Sequence, residues 1–255
     1  MAQTDDIKRA ADLIRNSKCT IAFTGAGISL ESGVPTFRGG PDSIWSRYSL
    51  SDIDIDNFTM NPAKSWHTIK ECFYLFMSRN DVHPNKAHQV LARLEADGLL
   101  RAIVTQNIDC LHQMAGSKRV IEFHGTIGTA SCVKCGRKVK ASDIDLGADV
   151  PRCQHCGGVM KPDFVFFGEA IPTDAYTQSV DLARGEADLC IVVGTSGTVM
   201  PAAMIPQFVR QRGGKVIEVN PEPSALTRIA DVFLPMGAVQ AFTLLEQELY
   251  PDNAN

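Results

Sequence analysis

The sequence has 255 residues, a formal net charge of -4 and a pI of about 5.9. Hydrophobic residues make up 44% and charged residues 21%, so the chain fits one large globular domain or one domain that carries an insert. The acidic balance argues against a broad basic surface for nucleic acid, and no apolar run is long enough for a signal peptide or a membrane span. We therefore expect a cytoplasmic protein with no membrane partner.

Short apolar runs alternate with helical patterns along the chain. The first helix is predicted over residues 4–17, where apolar residues recur with helical spacing. Strands are then predicted at 20–24, 101–105, 163–167, 188–193, 215–219 and 231–234. Further helices are predicted at 84–97, 174–184 and 201–212. This alternation predicts a doubly wound α/β fold with a parallel, Rossmann-like sheet buried on both faces.

Two stretches interrupt this alternation. Residues 40–80 mix Pro, Asp and aromatic residues and indicate helices and loops. Residues 131–160 are rich in Cys, Gly and Lys and show no helical period. We interpret both as inserts in an α/β domain that is formed by residues 1–39, 81–130 and 161–255.

The second insert carries two Cys-x-x-Cys pairs, Cys132 with Cys135 and Cys153 with Cys156, separated by seventeen residues. Such pairs are typical of tetrahedral zinc, because a two-residue gap lets both sulfurs of a turn reach one ion. Four cysteines fill the shell, so the ion is expected to be structural, and His155 is only a competing ligand. Two redox pairs or buried thiols are the alternative. The insert also carries basic residues that leave a nucleic-acid-binding ribbon as a less favoured reading: Lys134, Arg137, Lys138 and Lys140.

The loop after the first strand begins Gly25-Ala26-Gly27, but the sixth position of the dinucleotide fingerprint G-x-G-x-x-G is Leu30 instead of Gly. A glycine-rich loop between a buried strand and a helix exposes backbone N–H groups that attract a pyrophosphate. An ordinary strand-to-helix turn is the other reading of these residues.

Polar residues also follow two later strands. Gly194-Thr195-Ser196 comes after residues 188–193, and Asn220 comes after residues 215–219. Ligands of open parallel sheets collect at the carboxyl ends of the strands. Asn220, with Glu222 nearby, suits ribose hydroxyls better than a 2'-phosphate, which favours NAD over NADP.

Two further polar segments are candidates for chemistry. The segment Gln106-Asn107-Ile108-Asp109 follows a buried strand, and its amide and carboxylate groups can bind a carboxamide; an Asx turn or a helix cap is the alternative. His124 lies beside a glycine at the end of an apolar stretch. A lone histidine is more often structural, but an ordinary pKa of about 6.5 suits a general base near neutral pH.

Taken together, these stretches resemble the sirtuins, the NAD-dependent protein lysine deacylases. The matches follow the family's order along nearly the whole chain: GAGIS (25–29), SGVPTFRG (32–39), TQNIDCLH (105–112), FHGT (123–126), the two Cys pairs, FVFFGEAIP (164–172), GTSGTVMPAA (194–203) and VN (219–220). The resemblance implies that residues 40–80 and 131–160 form a small lobe beside the Rossmann-like domain. NAD and an acyl-lysine would meet in the cleft between the two.

The resemblance also implies which residues bind NAD. Gly25, Ala26 and Gly27 would hold the pyrophosphate. Phe37 would cover the ribosyl reaction centre, and Arg38 would order the phosphate side. Asp109 would hold the carboxamide in a nicotinamide pocket that it shares with Gln106, Asn107 and Ile108, of which Asn107 is also a catalytic candidate. The adenosine side would be formed by Gly194, Thr195, Ser196, Asn220 and Ala238.

The acyl-lysine peptide is expected to bind as an added β-strand in the same cleft, a mode that reads main chain and tolerates many sequences. Its contacts would be His124, Val165, Phe166, Phe167, Gly168, Glu169, Thr198 and Val199. In the chemistry that the resemblance implies, the acyl oxygen captures the ribosyl carbon as nicotinamide leaves. His124 then acts as general base toward a ribose hydroxyl, and the products are nicotinamide, O-acyl-ADP-ribose and free lysine.

One departure bears on the acyl group. Thr36 resembles the branch of the family that prefers acidic acyl groups, but that branch carries a Tyr-x-x-Arg pair whose equivalents here are Ile69 and Cys72. The apolar replacements favour acetyl or longer uncharged acyl groups. Cys110, beside Asp109, is interpreted as a packing residue.

Three other functions fit parts of the pattern. A dehydrogenase on the same sheet would reduce NAD, whereas a deacylase releases nicotinamide. A non-catalytic binder of NAD or ADP-ribose would need no base. A mono-ADP-ribosyltransferase would use the same NAD site with another nucleophile.

Overall fold

The structure is a computed structural model, and it describes residues 2–35, 49–79 and 81–251. Its strands are β1 (Thr20–Thr24), β2 (Ala102–Thr105), β3 (Val120–Glu122), β4 (Gly125–Cys132), β5 (Lys138–Lys140), β6 (Met160–Phe164), β7 (Leu189–Val193), β8 (Lys215–Val219) and β9 (Val232–Leu234). Its α-helices are α1 (Ala2–Asn16), α2 (Ile55–Met60), α3 (Pro62–Ile69), α4 (Leu75–Met77), α5 (Lys86–Ala96), α6 (Leu111–Met114), α7 (Thr173–Asp181), α8 (Met204–Gln211) and α9 (Ala238–Leu249). Short 3-10 segments cover Ala26–Ser32, Leu50–Ile53, Ala141–Asp143 and Thr227–Ile229, and π-helical turns cover Lys70–Tyr74 and Leu182–Glu186.

Six strands form one parallel sheet in the order β3-β2-β1-β7-β8-β9. β1, β2 and β7 are buried along their whole length, which explains why their sequences are unbroken apolar runs. The chain winds outward from β1 to β3 and then returns to the other side of β1 with β7. The crevice between β1 and β7 is therefore a switch point, where open sheets bind ligands.

Helices cover both faces of this sheet. On one face α1, α5 and α9 pack over a core that contains Ile14 and Phe242, with Ala22 pointing toward them from β1. On the other face α7 and α8 pack over a core that contains Phe23 and Phe208. The predicted doubly wound α/β fold is confirmed. In the described part of the chain, no helix is both long and apolar enough to cross a bilayer.

A second core joins the helices between residues 55 and 77 to a three-stranded antiparallel sheet of order β5-β4-β6. Trp66 on α3 is fully buried in this core, and its indole N–H donates to Met160 O of β6 at 2.8 Å. Phe58, Phe164 and Phe166 stack beside it, with ring centroids 4.7 Å apart for Phe164 and Phe166. The helical and cysteine-rich inserts therefore share one hydrophobic core.

The prediction of a parallel strand at 163–167 is wrong. The strand here is β6, which ends at Phe164 and pairs antiparallel with β4 in the small sheet. Burial along β6 alternates, because only one face of this sheet meets the core. β3 and α9 have no counterpart among the predicted elements; β3 has only three residues.

We expect the replacement Phe242→Ala to lower the free energy of unfolding by about 3–5 kcal/mol, because truncation of a fully buried phenyl ring leaves a cavity between α9 and the sheet. Urea denaturation measures the change. Met114→Ala is the control, since this side chain is 58% exposed, and its effect should stay within about 0.5 kcal/mol. Equal losses in both variants would contradict the packing described for α9.

Candidate active site

A cavity of about 1340 Å³ lies between the carboxyl ends of the central strands and the three-stranded sheet. Pockets for drug-sized ligands measure about 300–1,000 Å³, so this cavity has room for a larger, extended ligand. A narrower, apolar recess opens beside it at Asn107 and Ile108 and is also lined by Asp109. Neither space is lined by a Lys or an Arg from the described residues.

Nearly all of the predicted site residues in the described ranges line this cavity. From the predicted NAD site these are Gly25, Ala26, Gly27, Gln106, Asn107, Ile108, Gly194, Thr195, Ser196, Asn220 and Ala238. From the predicted peptide site these are His124, Val165, Phe166, Phe167, Gly168, Glu169, Thr198 and Val199. Thr36, Phe37 and Arg38 lie outside the described residues. The fold thus gathers residues from seven separate segments around one space.

The glycines at the ends of β1 and β7 allow two loops to touch. Gly27 N donates to Gly194 O at 2.8 Å, and Gly25 N donates to Val193 O at 3.0 Å. A Cβ on Gly27 would lie 2.6 Å from Gly194 Cα, and Gly194 has a φ of 61°. Only glycine permits this approach. Within residues 25–28, the amide of Ala26 is the one that makes no hydrogen bond to a described residue, so it is the loop donor available to a ligand.

A buried polar network lies under the recess. Ser29 Oγ donates to Asp109 Oδ2 at 2.7 Å, and Leu111 N donates to Asp109 Oδ1 at 3.0 Å. Asn107 Nδ2 donates to Ser29 Oγ and to Gly25 O, each at 3.2 Å. Burial raises the pKa of Asp109, and the two hydrogen bonds oppose this shift. Asp109 and Asn107 are therefore fixed in position at the wall of the recess.

Two histidines extend this network into the domain interior. His88 Nδ1 lies 3.0 Å from Asn85 Oδ1 and 3.3 Å from Asn85 N, and its Nε2 faces Ser29 Oγ at 3.5 Å. His112 Nε2 lies 3.0 Å from Thr24 Oγ1, and the two imidazole rings are 4.9 Å apart. Burial lowers the pKa of His88 to about 4 and that of His112 well below its usual value, so both rings are neutral at neutral pH.

His124 lies at the cavity wall between β3 and β4. Its Nδ1 is 3.1 Å from the carbonyl oxygen of Gln106. Because a carbonyl only accepts, Nδ1 carries the hydrogen and Nε2 keeps its lone pair. Burial lowers the pKa of His124, and the hydrogen bond to Gln106 O opposes that shift. The ring is therefore an uncharged base at neutral pH.

At the far end of the cavity, a buried carboxylate organises the loop after β8. Glu218 is fully buried, and its Oε1 accepts from Asn220 Nδ2 at 2.9 Å and from Ser224 Oγ. Asn220 Nδ2 also donates to Thr195 O at 3.0 Å, and Thr195 Oγ1 accepts from Gln106 Nε2 at 3.0 Å. Side-chain hydrogen bonds thereby connect the carboxyl ends of β2, β7 and β8.

The two cysteine pairs meet in one cluster, in which the four sulfurs lie within 4.8 Å of one another. Cys132 Sγ is 3.5 Å from Cys156 Sγ, and Cys135 Sγ is 3.9 Å from Cys153 Sγ. Tetrahedral zinc with Zn–S bonds of about 2.3 Å places its sulfurs about 3.8 Å apart, so the cluster fits the ion. His155 is not part of the cluster.

Comparisons with known proteins agree with this geometry. Residues 25–201 match the Sir2 family. The chain is 44% identical over 243 residues to NAD-dependent protein deacylase 2 of Pyrobaculum aerophilum, with 94% of each protein covered. The chain belongs to the Sir2 family. It is also 40% identical over 246 residues to the NAD-dependent protein deacetylase of Caldivirga maquilingensis, which covers 95% of this chain and 93% of that protein.

Solved Sir2 structures share the fold over nearly the whole chain. The structure described as Sir2-p53 peptide-NAD+ has a TM-score of 0.86 and 40% identity, covering 95% of this chain and 98% of that one. The structure of Sir2Tm bound to a propionylated peptide has a TM-score of 0.85 and 38% identity, with the same coverage. The resemblance to sirtuins is therefore confirmed.

Three residues of the site were not among the sequence-based candidates: Ser29, His88 and Glu218. Ser29 lies in the quoted GAGIS stretch, so its position beside the glycine loop was the available signal. His88 lies on a helix 59 residues along the chain from Ser29, whereas Glu218 is only two and six residues from its partners Asn220 and Ser224. The folded structure brings His88 to the site and shows that Glu218 is buried.

We expect the purified protein to contain one zinc ion per chain, measured by elemental analysis. Cys135→Ser and Cys156→Ser should lose the metal and lower the melting temperature, because three sulfurs no longer complete the shell. Cys19→Ser is the control, since Cys19 lies outside the cluster and should leave the zinc content unchanged. Full zinc occupancy in the cluster variants would count against the assignment.

Proposed function

We propose that this chain is an NAD-dependent protein lysine deacylase, which transfers the acyl group of a modified lysine to ADP-ribose and releases nicotinamide. The names of its relatives and the NAD and acyl-peptide complexes of its structural neighbours support this reaction. One observation of this chain carries the proposal. One cavity is lined by an uncharged histidine base and by the backbone segment 165–168, and the recess that adjoins it is lined by an amide and a carboxylate.

In this proposal the recess binds the nicotinamide ring. The carboxylate of Asp109 accepts from the carboxamide, and Asn107 is held beside it by Ser29. The apolar walls exclude water and favour a ring that becomes uncharged as the glycosidic bond breaks. Ala26 supplies the free loop amide to the pyrophosphate, and Thr195, Ser196 and Asn220 bind the adenosine half. Phe37 and Arg38 complete the site in the proposal.

His124 is the proposed general base. Its Nδ1–H is occupied by Gln106 O, so Nε2 faces the cavity with a lone pair that can take a proton from a ribose hydroxyl. No rearrangement of the ring is needed, because the backbone carbonyl selects the reactive tautomer. In the proposed reaction the acyl carbon is by then joined to the ribose through its own oxygen and is still bonded to the lysine nitrogen. The deprotonated hydroxyl would attack this carbon, the lysine would leave as the free amine, and one water would complete the O-acyl-ADP-ribose.

The acyl-lysine peptide is proposed to bind along residues 165–169. Val165 N donates to His124 O at 2.8 Å, so the segment of this chain that is proposed to bind the peptide begins directly beside the base. Phe166 is buried, whereas Phe167 is 39% exposed at the cleft and Val199 is 37% exposed across from it on the facing loop. A peptide strand between these two loops would place its modified lysine toward His124.

The proposal includes the division of the chain and its location. Residues 1–39, 81–130 and 161–255 form the NAD-binding domain, and residues 40–80 and 131–160 form the small lobe. The separate core around Trp66 supports this division. The protein is cytoplasmic in this proposal. None of its eight described cysteines forms a disulfide, and four of them form the cluster that fits zinc, which agrees with this location.

The deacylation reaction requires His124, and we expect His124→Ala to lower kcat for an acetyl-lysine peptide by at least ~10²-fold. NAD binding should change little, because the ring contacts NAD only at the reacting sugar in this proposal. Since burial lowers the pKa of His124, activity should fall only as the pH drops below about 6.5, where the ring becomes charged. An alanine variant that deacylates the peptide at the wild-type rate would overturn this role.

Uncharged acyl groups are expected to be the better substrates. Cys72 and Ile69, at the positions of the acidic-acyl clamp, are buried, and Cys72 lines the recess with Phe73, Met77 and Ile127. No cationic side chain from the described residues lines either space, so none of them offers a charged partner to a buried succinyl carboxylate. Rates on otherwise identical acetyl, succinyl and myristoyl peptides provide the test. A clear preference for succinyl would contradict it.

A further inference from the structure

Lys161 on β6 is a largely buried lysine beside the proposed peptide site, with only 15% of its side chain exposed. Its ammonium group donates to Pro162 O at 3.1 Å and to Phe164 O at 3.2 Å. Its third partner is Glu169 Oε2 at 3.0 Å. A lysine has three N–H donors, and all of them are used within ten residues of chain.

The partner of Lys161 holds the backbone of the peptide site. Glu169 Oε2 also accepts from Phe166 N at 3.0 Å, and Glu169 N donates to Phe166 O at 3.0 Å. The ammonium lies 4.5 Å from the centroid of the Phe166 ring. Lys161 therefore fixes the carboxylate that in turn fixes both backbone polar groups of Phe166.

Phe167, the next residue, is hydrogen-bonded to the helical insert on the opposite side. Phe167 N donates to Ile53 O, and Ile55 N donates to Phe167 O, both at 3.0 Å. Asp54 and Phe167 form a parallel β-bridge at this point. The segment around Phe166 and Phe167 is thus held on two sides. Lys161 and Glu169 hold it on the side of the three-stranded sheet, and residues 53–55 hold it on the side of the helical insert.

We propose that Lys161 is a positioning residue for the acyl-lysine peptide. The inference rests on the proposed function, in which residues 165–169 pair with the substrate. Without the ammonium, the carboxylate of Glu169, whose side chain is 31% exposed, turns to solvent and Phe166 N loses its partner. The peptide must then order the segment as it binds, and this ordering weakens its affinity.

The position of Lys161 predicts which step it affects. Lys161 does not line the cavity, and its contacts lie on the peptide side and not at the NAD loops. The affinity for the peptide should therefore depend on Lys161, while the affinity for NAD and kcat should not. A lysine that served only the stability of the fold would affect all three through loss of folded protein.

The test measures peptide affinity directly, by fluorescence anisotropy of a labelled acetyl-lysine peptide, together with KM for NAD and kcat. Lys161→Met keeps the aliphatic stem and removes the charge, and we expect the Kd for peptide to rise on the order of tenfold with KM for NAD and kcat within about twofold. Lys161→Arg keeps the charge and should recover most of the affinity.

Lys138→Met is the matched control, because Lys138 pairs with Asp163 at 3.2 Å on the same small sheet but is 64% exposed and does not reach the segment. Its peptide Kd should equal that of the wild type. Glu169→Gln should weaken peptide binding as Lys161→Met does, and the double variant should be little worse than either single one, since the two side chains act as a unit. Amide hydrogen exchange at Phe166 should speed up in both single variants.

A wild-type protein that deacylates the peptide, together with a Lys161→Met variant of unchanged Kd and unchanged exchange at Phe166, would overturn this inference alone. Parallel rises in peptide Kd and KM for NAD, with a matching loss from Lys138→Met, would show a general structural role and would also overturn it. A wild-type protein that neither binds nor deacylates the peptide would instead remove the proposed function, and this inference with it.

Discussion

The contact of two glycine loops at the carboxyl ends of β1 and β7 is the constraint on which the site depends. The backbone of Gly27 lies against that of Gly194, and a Cβ on Gly194 would come within 2.3 Å of Ile28 N. Parallel pairing of β1 with β7 brings these loops together, and the absence of side chains lets them meet. The cavity for an extended ligand begins where these loops end. The loop after β1, which departs from the ordinary dinucleotide fingerprint, is thus the loop that packs against the loop after β7.

Around this contact the two halves of the molecule contribute different chemistry. The large sheet contributes fixed polar groups, since Asp109, Asn107 and Ser29 are buried and connected by hydrogen bonds through Ser29. The small sheet contributes the backbone segment that follows β6, which Lys161 holds through Glu169 on one side and residues 53–55 hold on the other. His124 lies where the two halves join, and a carbonyl of the large domain selects its tautomer. Pre-organised donors of this kind need little rearrangement during reaction.

The sequence predicts the large sheet well because its central strands are buried on both faces and are therefore continuous apolar runs. It also predicts the zinc cluster, since Cys-x-x-Cys spacing is local. It misplaces residues 163–167, because a run of apolar residues does not reveal whether it meets one core or passes between two. Ser29 and His88 act through contacts 59 to 80 residues away along the chain, so no local pattern marks them. The partners of Glu218 are only two and six residues away, but its position in a strand does not reveal that its side chain is buried.

The central claim is that one cleft couples the breaking of the nicotinamide bond to acyl transfer from lysine. Mass spectrometry of the reaction of NAD with an acetyl-lysine peptide tests it most directly. The account predicts nicotinamide, unmodified peptide and O-acetyl-ADP-ribose in equal amounts, with none formed when either substrate is omitted. Formation of NADH, or of ADP-ribose and nicotinamide while the peptide stays acetylated, would contradict it.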